Sequence, residues 1–212
     1  MGTTADKLNR LISTKDDIRQ EINRAYGTEE IITSDAFNSY VQKLEEHPYY
    51  VMRLIDRSLY DVKLSSLTII GSYAFQKCSS LTSISFPNVT IIGHHAFSEC
   101  SSLTSISFPN VTDIDGAAFQ DCSSLVSASF PKVSVLKDYQ YSVLTWGAFV
   151  GCSNLTTIYI GTNTSTVCTL SSTRAFKSCD ALTNIYVPAS LVDSYKSATN
   201  WSSYADKIKA AP

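Results

Sequence analysis

The stretch Ala96–Asp115, AFSECSSLTSISFPNVTDID, decides the fold, because it is written three times in a row. The copy before it, Ala74–Gly93, reads AFQKCSSLTSISFPNVTIIG, and the copy after it, Ala118–Lys137, reads AFQDCSSLVSASFPKVSVLK. Self-similarity at a fixed short period marks a stacked-repeat architecture. The anchoring phenylalanines are Phe75, Phe97, Phe119, Phe149 and Phe176, with spacings of 22, 22, 30 and 27 residues. The same register carries Cys78, Cys100, Cys122, Cys152 and Cys179, and three residues further on Leu81, Leu103, Leu125, Leu155 and Leu182. An earlier degenerate coil fits too, since Leu59, Val62 and Leu64 stand 22 residues before Leu81, Ile84 and Phe86.

Each copy can be read as a coil. In LTSISF, Leu81, Ile84 and Phe86 are expected to face inward from a short strand, with Thr82, Ser83 and Ser85 facing out. Pro87 ends the ladder because it has no N–H to donate. The valine and isoleucine of NVTIIG return to the core, and the AF-x-x-C segment is expected to form one helical turn. One such coil cannot hide its apolar face alone, so the coils must stack.

The pattern C-x-x-L-x-x-I-x-F-P-x-V-x-x-I-G-x-x-A-F resembles the BspA-type leucine-rich repeats over about residues 54–188. VPASLVDSYKSATNWSSYADKI is similar to the helical closing segment common in that family. The resemblance implies an α/β leucine-rich-repeat solenoid of about six coils. It also implies a binding habit on surfaces of gut and oral bacteria, or in tail-associated proteins of phages that infect gut bacteria. It implies no reaction.

Three regions follow: an N-terminal helical module over residues 1–48, the repeats over 49–188, and a C-terminal helical cap over 189–212. The module shows stripes Leu8, Leu11, Ile12 and Ile18, Ile22, then a helix from Asp35 to His47 ending before Pro48. LISTKDDIRQEI looks like a small helical module that precedes such repeats in phage tail and gut-bacterial proteins; it would cap the solenoid, or mediate self-association or virion attachment. The cap is expected to pack through Val192, Tyr195, Trp201, Tyr204 and Ile208.

Composition narrows the function. The net charge is −2 with no strongly basic region, which argues against capture of nucleic acid or of an anionic membrane. No run of 18 apolar residues exists for membrane insertion. The first residues, MGTTADKLNR, show no basic start followed by an apolar stretch, so no signal peptide is expected in this chain.

Five of the six cysteines occupy one repeat register, where small apolar residues are wanted, and their spacing fits no zinc pattern. They are expected as buried free thiols; Cys168, out of register, is expected in the core of its own coil, with an exposed, reactive thiol as the alternative. His94 and His95 align with Ser72–Tyr73 and Gly116–Ala117, a variable position expected on a surface loop. No catalytic signature, cofactor motif or metal pattern emerges, so the expectation is a non-enzymatic module without cofactor or metal, binding a cell-surface glycan or protein. Phage tail receptor binding is the first setting, a surface or secreted bacterial adhesin the second, and a purely structural virion or scaffold protein the third.

The departures from the repeat locate the candidate site. The interval after Phe119 has eight extra residues and the next has five. Both are expected to emerge on the same edge. The first carries Tyr139, Tyr141 and Trp146; the second, GTNTSTVCTLSST, is polar. At the outward register of Ser85, Ser107 and Ser129, the later coils carry Tyr159 and Tyr186. These five aromatics are the candidate ligand-binding residues, since aromatics with a polar handle suit recognition surfaces.

Overall fold

The structure, a computed structural model, describes residues 61–63, 67–141 and 144–212. The N-terminal module and the boundary at Pro48 lie outside the described residues. Within them, successive coils lend short parallel strands to two faces of the solenoid. The first face begins with β1 (Asp61–Lys63) beside β3 (Ser83–Ser85), Val62 standing opposite Ile84 as the degenerate coil requires. Beyond that pair, which is not laddered to the next strand, the first sheet runs through β5 (Ser105–Ser107), β7 (Ser127–Phe130), β11 (Thr157–Ile160) and β13 (Asn184–Val187), and closes with β14 (Ile208–Ala210). The second sheet is made of two-residue strands: β2 (Ile69–Ile70), β4 (Ile91–Ile92), β6 (Asp113–Ile114), β8 (Val135–Leu136) and β12 (Thr169–Leu170). Neighbouring strands pair in register, Ser107 against Ser129 and Ser129 against Tyr159, so equivalent residues form straight columns.

Stacking identical coils puts like side chains on like. Phe75, Phe97, Phe119, Phe149 and Phe176 form one buried column with centroid steps of 5.0, 5.2, 5.1 and 5.6 Å. Phe86, Phe108 and Phe130 form a second. The leucines of the C-x-x-L register are fully buried or nearly so. The cysteines form a third column, as free thiols. Cys100, Cys122, Cys152 and Cys179 each donate Sγ–H to the carbonyl of the preceding coil's phenylalanine, at 3.0–3.1 Å. A small side chain with a weak donor satisfies that carbonyl without widening the coil.

The α/β expectation needs correction: this is a β-solenoid of about six turns. The AF-x-x-C segment is a run of tight turns, not a helical turn. Alternate N–H groups close local turns, as from Gln76 to the Tyr73 carbonyl and from Cys78 to Phe75. The others reach the next coil, Tyr73 to His94, Phe75 to Ala96 and Lys77 to Ser98. A helix needs all of them internally. Lys77, Glu99, Asp121 and Ser178 also adopt left-handed φ between 56° and 64° at one register, where the fourth coil has Gly151 at 77°; such residues interrupt a right-handed helix.

The C-terminal segment is helical only in part. A 3-10 turn (Ala189–Leu191), the short helix α1 (Val192–Ser197) and a second 3-10 turn (Trp201–Tyr204) lead into β14, which pairs with β13 through Ile185–Ile208. Tyr195, Trp201 and Ile208 are buried as expected; Val192 and Tyr204 are half-buried. Covering the last coil with a strand satisfies the ladder edge that a purely helical cap would leave open.

Candidate functional site

The two insertions leave the solenoid at different corners, not on one edge. The first follows β8 and folds into an antiparallel hairpin, β9 (Tyr139–Tyr141) and β10 (Leu144–Trp146), with Tyr139 opposite Trp146. Most of the second falls between β11 and β12, before the second-sheet strand rather than after it. That loop is the socket for the cap. Cys168 donates its backbone N–H to the Tyr195 hydroxyl at 2.9 Å, and its carbonyl accepts from Trp201 Nε1 at 2.6 Å. Asn200 Nδ2 donates to the Leu170 carbonyl. Cys168 is therefore a core residue, 1% exposed. Burial pushes its thiol up to about 12, opposite to what a nucleophile needs.

The hairpin is docked by groups that sequence reasoning set aside. Gly116 leaves room for it: a Cβ there would lie 1.7 Å from the Tyr139 nitrogen and 2.5 Å from the Trp146 carbonyl oxygen. The Tyr139 ring stacks on His94 at 4.8 Å and meets His95 edge-on at 5.2 Å, while His95 stacks on Tyr73 at 5.1 Å. His94 Nδ1 shares a 2.7 Å hydrogen bond with Ser72 Oγ. His95 Nδ1 is buried with no hydrogen-bond partner among the described residues. Burial foremost, then the neighbouring His94, holds the His95 pKa below its usual value, with Glu99 pulling the other way. The histidines are thus half-buried packing groups for the hairpin. The sequence signal was Gly116 in the coil just before the insertion.

Tyr159 and Tyr186 sit apart from the hairpin, on the outer face of the first sheet. Their rings stack at 5.0 Å with 26° between planes. The structure therefore brings together Tyr159 with Tyr186, and Tyr139 with Trp146, but links neither pair to the other among the described residues. Tyr159 forms one wall of a shallow depression whose floor is Ser105, Ser107, Ser127 and Ser129, extending to Ser83. The hydroxyls flanking this floor hold the coils together: Thr156 Oγ1 donates to the Val126 carbonyl and Thr183 Oγ1 to Thr156. Ser105, Ser107, Ser127 and Ser129 have no side-chain hydrogen bond to the described protein and face solvent.

The repeat matches the model of the BspA type leucine rich repeat region, in six copies over residues 68–204. The chain belongs to the BspA-type leucine-rich-repeat family. This BspA-type chain is also similar to a leucine rich cell surface protein from Faecalibacterium prausnitzii A2-165, with 29% identity and a TM-score of 0.40 over 60% of this chain and 38% of that one. It is similar to a leucine-rich repeat protein from Bacteroides ovatus ATCC 8483, with 26% identity and a TM-score of 0.41 over 62% of this chain and 40% of that one. The BspA-type chain therefore spans well under half the length of either. No curated protein matches it. Among the described residues, no helix is long and apolar enough to cross a membrane, and no group of His, Cys, Asp and Glu is arranged to hold a metal.

Proposed function

We propose that this BspA-type chain is a non-catalytic recognition module for a glycan or protein on a cell surface, and that it serves as a phage tail-associated receptor-binding protein. The observation that carries the recognition reading is the stacked Tyr159–Tyr186 pair, half-exposed beside a floor of solvent-facing serines on an otherwise regular sheet. Stacked tyrosines on a rigid sheet supply contact area at low ordering cost. The likeness of LISTKDDIRQEI to modules preceding such repeats in phage proteins supports the tail setting. The family itself supports a second reading, a surface or secreted bacterial adhesin. Against catalysis stands the buried, poorly ionising state of Cys168, the thiol outside the repeat register.

The test is flow-cytometric binding of labelled protein to intact gut-bacterial cells. Replacing Tyr159 and Tyr186 by alanine together should abolish binding while the melting transition stays nearly in place. Unchanged binding would remove the sheet face from the account. Antibody decoration of virions rather than of bacterial envelopes would separate the two settings.

A further inference from the structure

We infer that the outer face of the first sheet binds an uncharged glycan chain laid across the strands, with sugar rings over the serine columns and one ring stacked on Tyr159. This inference rests on the recognition reading above and names its ligand class.

The geometry is a grid. Ser105 and Ser127 stand opposite one another, as do Ser107 and Ser129, and the second column runs on without a register shift into Tyr159 and Tyr186. With strands spaced about 4.8 Å apart, the span from β5 to β11 is roughly 10 Å, enough for about two pyranose rings end to end. Serine hydroxyls both donate and accept and rotate to suit, which is what a sugar's mixed hydroxyls require. The tyrosine wall offers a flat apolar surface for the C–H face of a ring. The sheet is held by coil-to-coil bonds on both flanks, so the grid is preformed and need not order on binding.

Charge decides the class. The lining of the depression is serine, isoleucine, alanine and tyrosine, with no Lys, Arg, Asp or Glu. Along the column beyond Tyr186 the next outward residue is Lys209, whose Nζ donates to Asn184 Oδ1. A sulfated, sialylated or phosphorylated chain would be stripped of water over this floor without a cation to meet it. A protein partner fits less well, since serine and alanine are depleted at protein interface cores and arginine and methionine, enriched there, are missing from the lining.

The experiment is binding of the full chain to immobilised neutral oligosaccharides (glucan, mannan, galactan and N-acetylglucosamine oligomers) beside sulfated and sialylated counterparts, at 50 and 500 mM salt in separate runs. The expected result is saturable binding to at least one neutral chain, insensitive to salt. Tyr159→Ala and Ser129→Arg should each weaken it at least tenfold, and Tyr159→Phe, which keeps the ring, should bind within threefold of the wild type. Circular dichroism checks that the variants fold, and the serine and tyrosine changes report independently. Binding restricted to anionic glycans, binding lost at high salt, binding indifferent to both variants, or no neutral chain bound would each overturn the inference. If intact cells still bind through this face while no neutral glycan does, or a purified protein competes there instead, the glycan assignment fails and the recognition reading stands. If neither cells nor glycans bind, both fail.

Discussion

Replacing Phe119 by alanine tests whether column stacking holds this chain together. Phe119 is fully buried at the centre of its column, stacked on Phe97 at 5.2 Å and on Phe149 at 5.1 Å, and tilted against Phe108 and Phe130 at 6.2 and 5.8 Å. Removing a buried phenylalanine costs roughly 3–5 kcal/mol through lost transfer and the cavity left behind. The site can collapse little, because the coils on either side are held by ladder bonds, so the upper half of that range applies. Stacked aromatic pairs add about 0.5–1.5 kcal/mol each beyond burial. Phe119→Leu keeps most of the apolar volume and loses two stacked partners, so it should cost about 1–3 kcal/mol. Phe176 has one stacked neighbour, Phe149 at 5.6 Å, and cap rings on its other side. Its alanine variant should therefore cost less than the central one. Urea unfolding followed by circular dichroism gives the free energies and the slope. Since coils couple through nearest neighbours, the central variant should also reduce the slope as the array divides. A loss below about 2 kcal/mol for Phe119→Ala, or a larger loss at Phe176, would refute the reasoning.

Further outcomes follow from the site and core. Gly116→Ala drives a methyl group into the Tyr139 backbone, so it should release the hairpin: proteolysis within residues 137–147 should rise with the core spectrum preserved, and equal resistance would contradict the docking described. All six cysteines are buried free thiols; native protein should therefore leave Ellman's reagent almost unreacted, whereas denatured protein reacts fully, and fast native labelling would contradict the packing. His95 supplies a pH dependence. Its folded pKa is lowered from 6.5, so as pH falls through 6.5 the unfolded chain takes up a proton that the folded chain refuses. This contribution to stability is intact above that value and declines below it until the folded pKa is passed. His95→Asn, which tolerates the left-handed φ of 54°, should flatten the fall in urea midpoint between about pH 7.5 and 5.5; an unchanged fall would reject the assignment.

The first face was legible in sequence because Ser83, Ile84, Ser85 and Phe86 alternate, and Phe86 and the two serines fall where that alternation puts them, while Leu81 enters the core from the turn before the strand. The second sheet was not, since two-residue strands such as Ile91–Ile92 are too short to show a period. The turn side misled for a different reason. AF-x-x-C looks helical locally, but every other N–H group of it is claimed by the next coil, a tertiary effect with no local signature. Gly151 at the register of Lys77 and Glu99 was the available hint of left-handed backbone. The insertions were visible as spacing, but spacing does not say on which side of a two-residue strand extra residues leave. That is why the sequence, although it points to a core role for Cys168, does not show that its loop is the cap's socket. His94 and His95 read as a surface loop because their position varies between coils, although the alignment with Gly116 marks where the hairpin folds over.

The outer sheet face as the recognition surface is tested most directly by blocking it. Because the native thiols are buried, a single introduced cysteine can be modified selectively with a maleimide polyethylene glycol. Ser107→Cys places it on the serine floor, and Lys177→Cys places it on the exposed turn side. Binding to target cells should be lost on modification at Ser107 and retained on modification at Lys177. Retained binding at Ser107, or equal loss at both, would contradict the account.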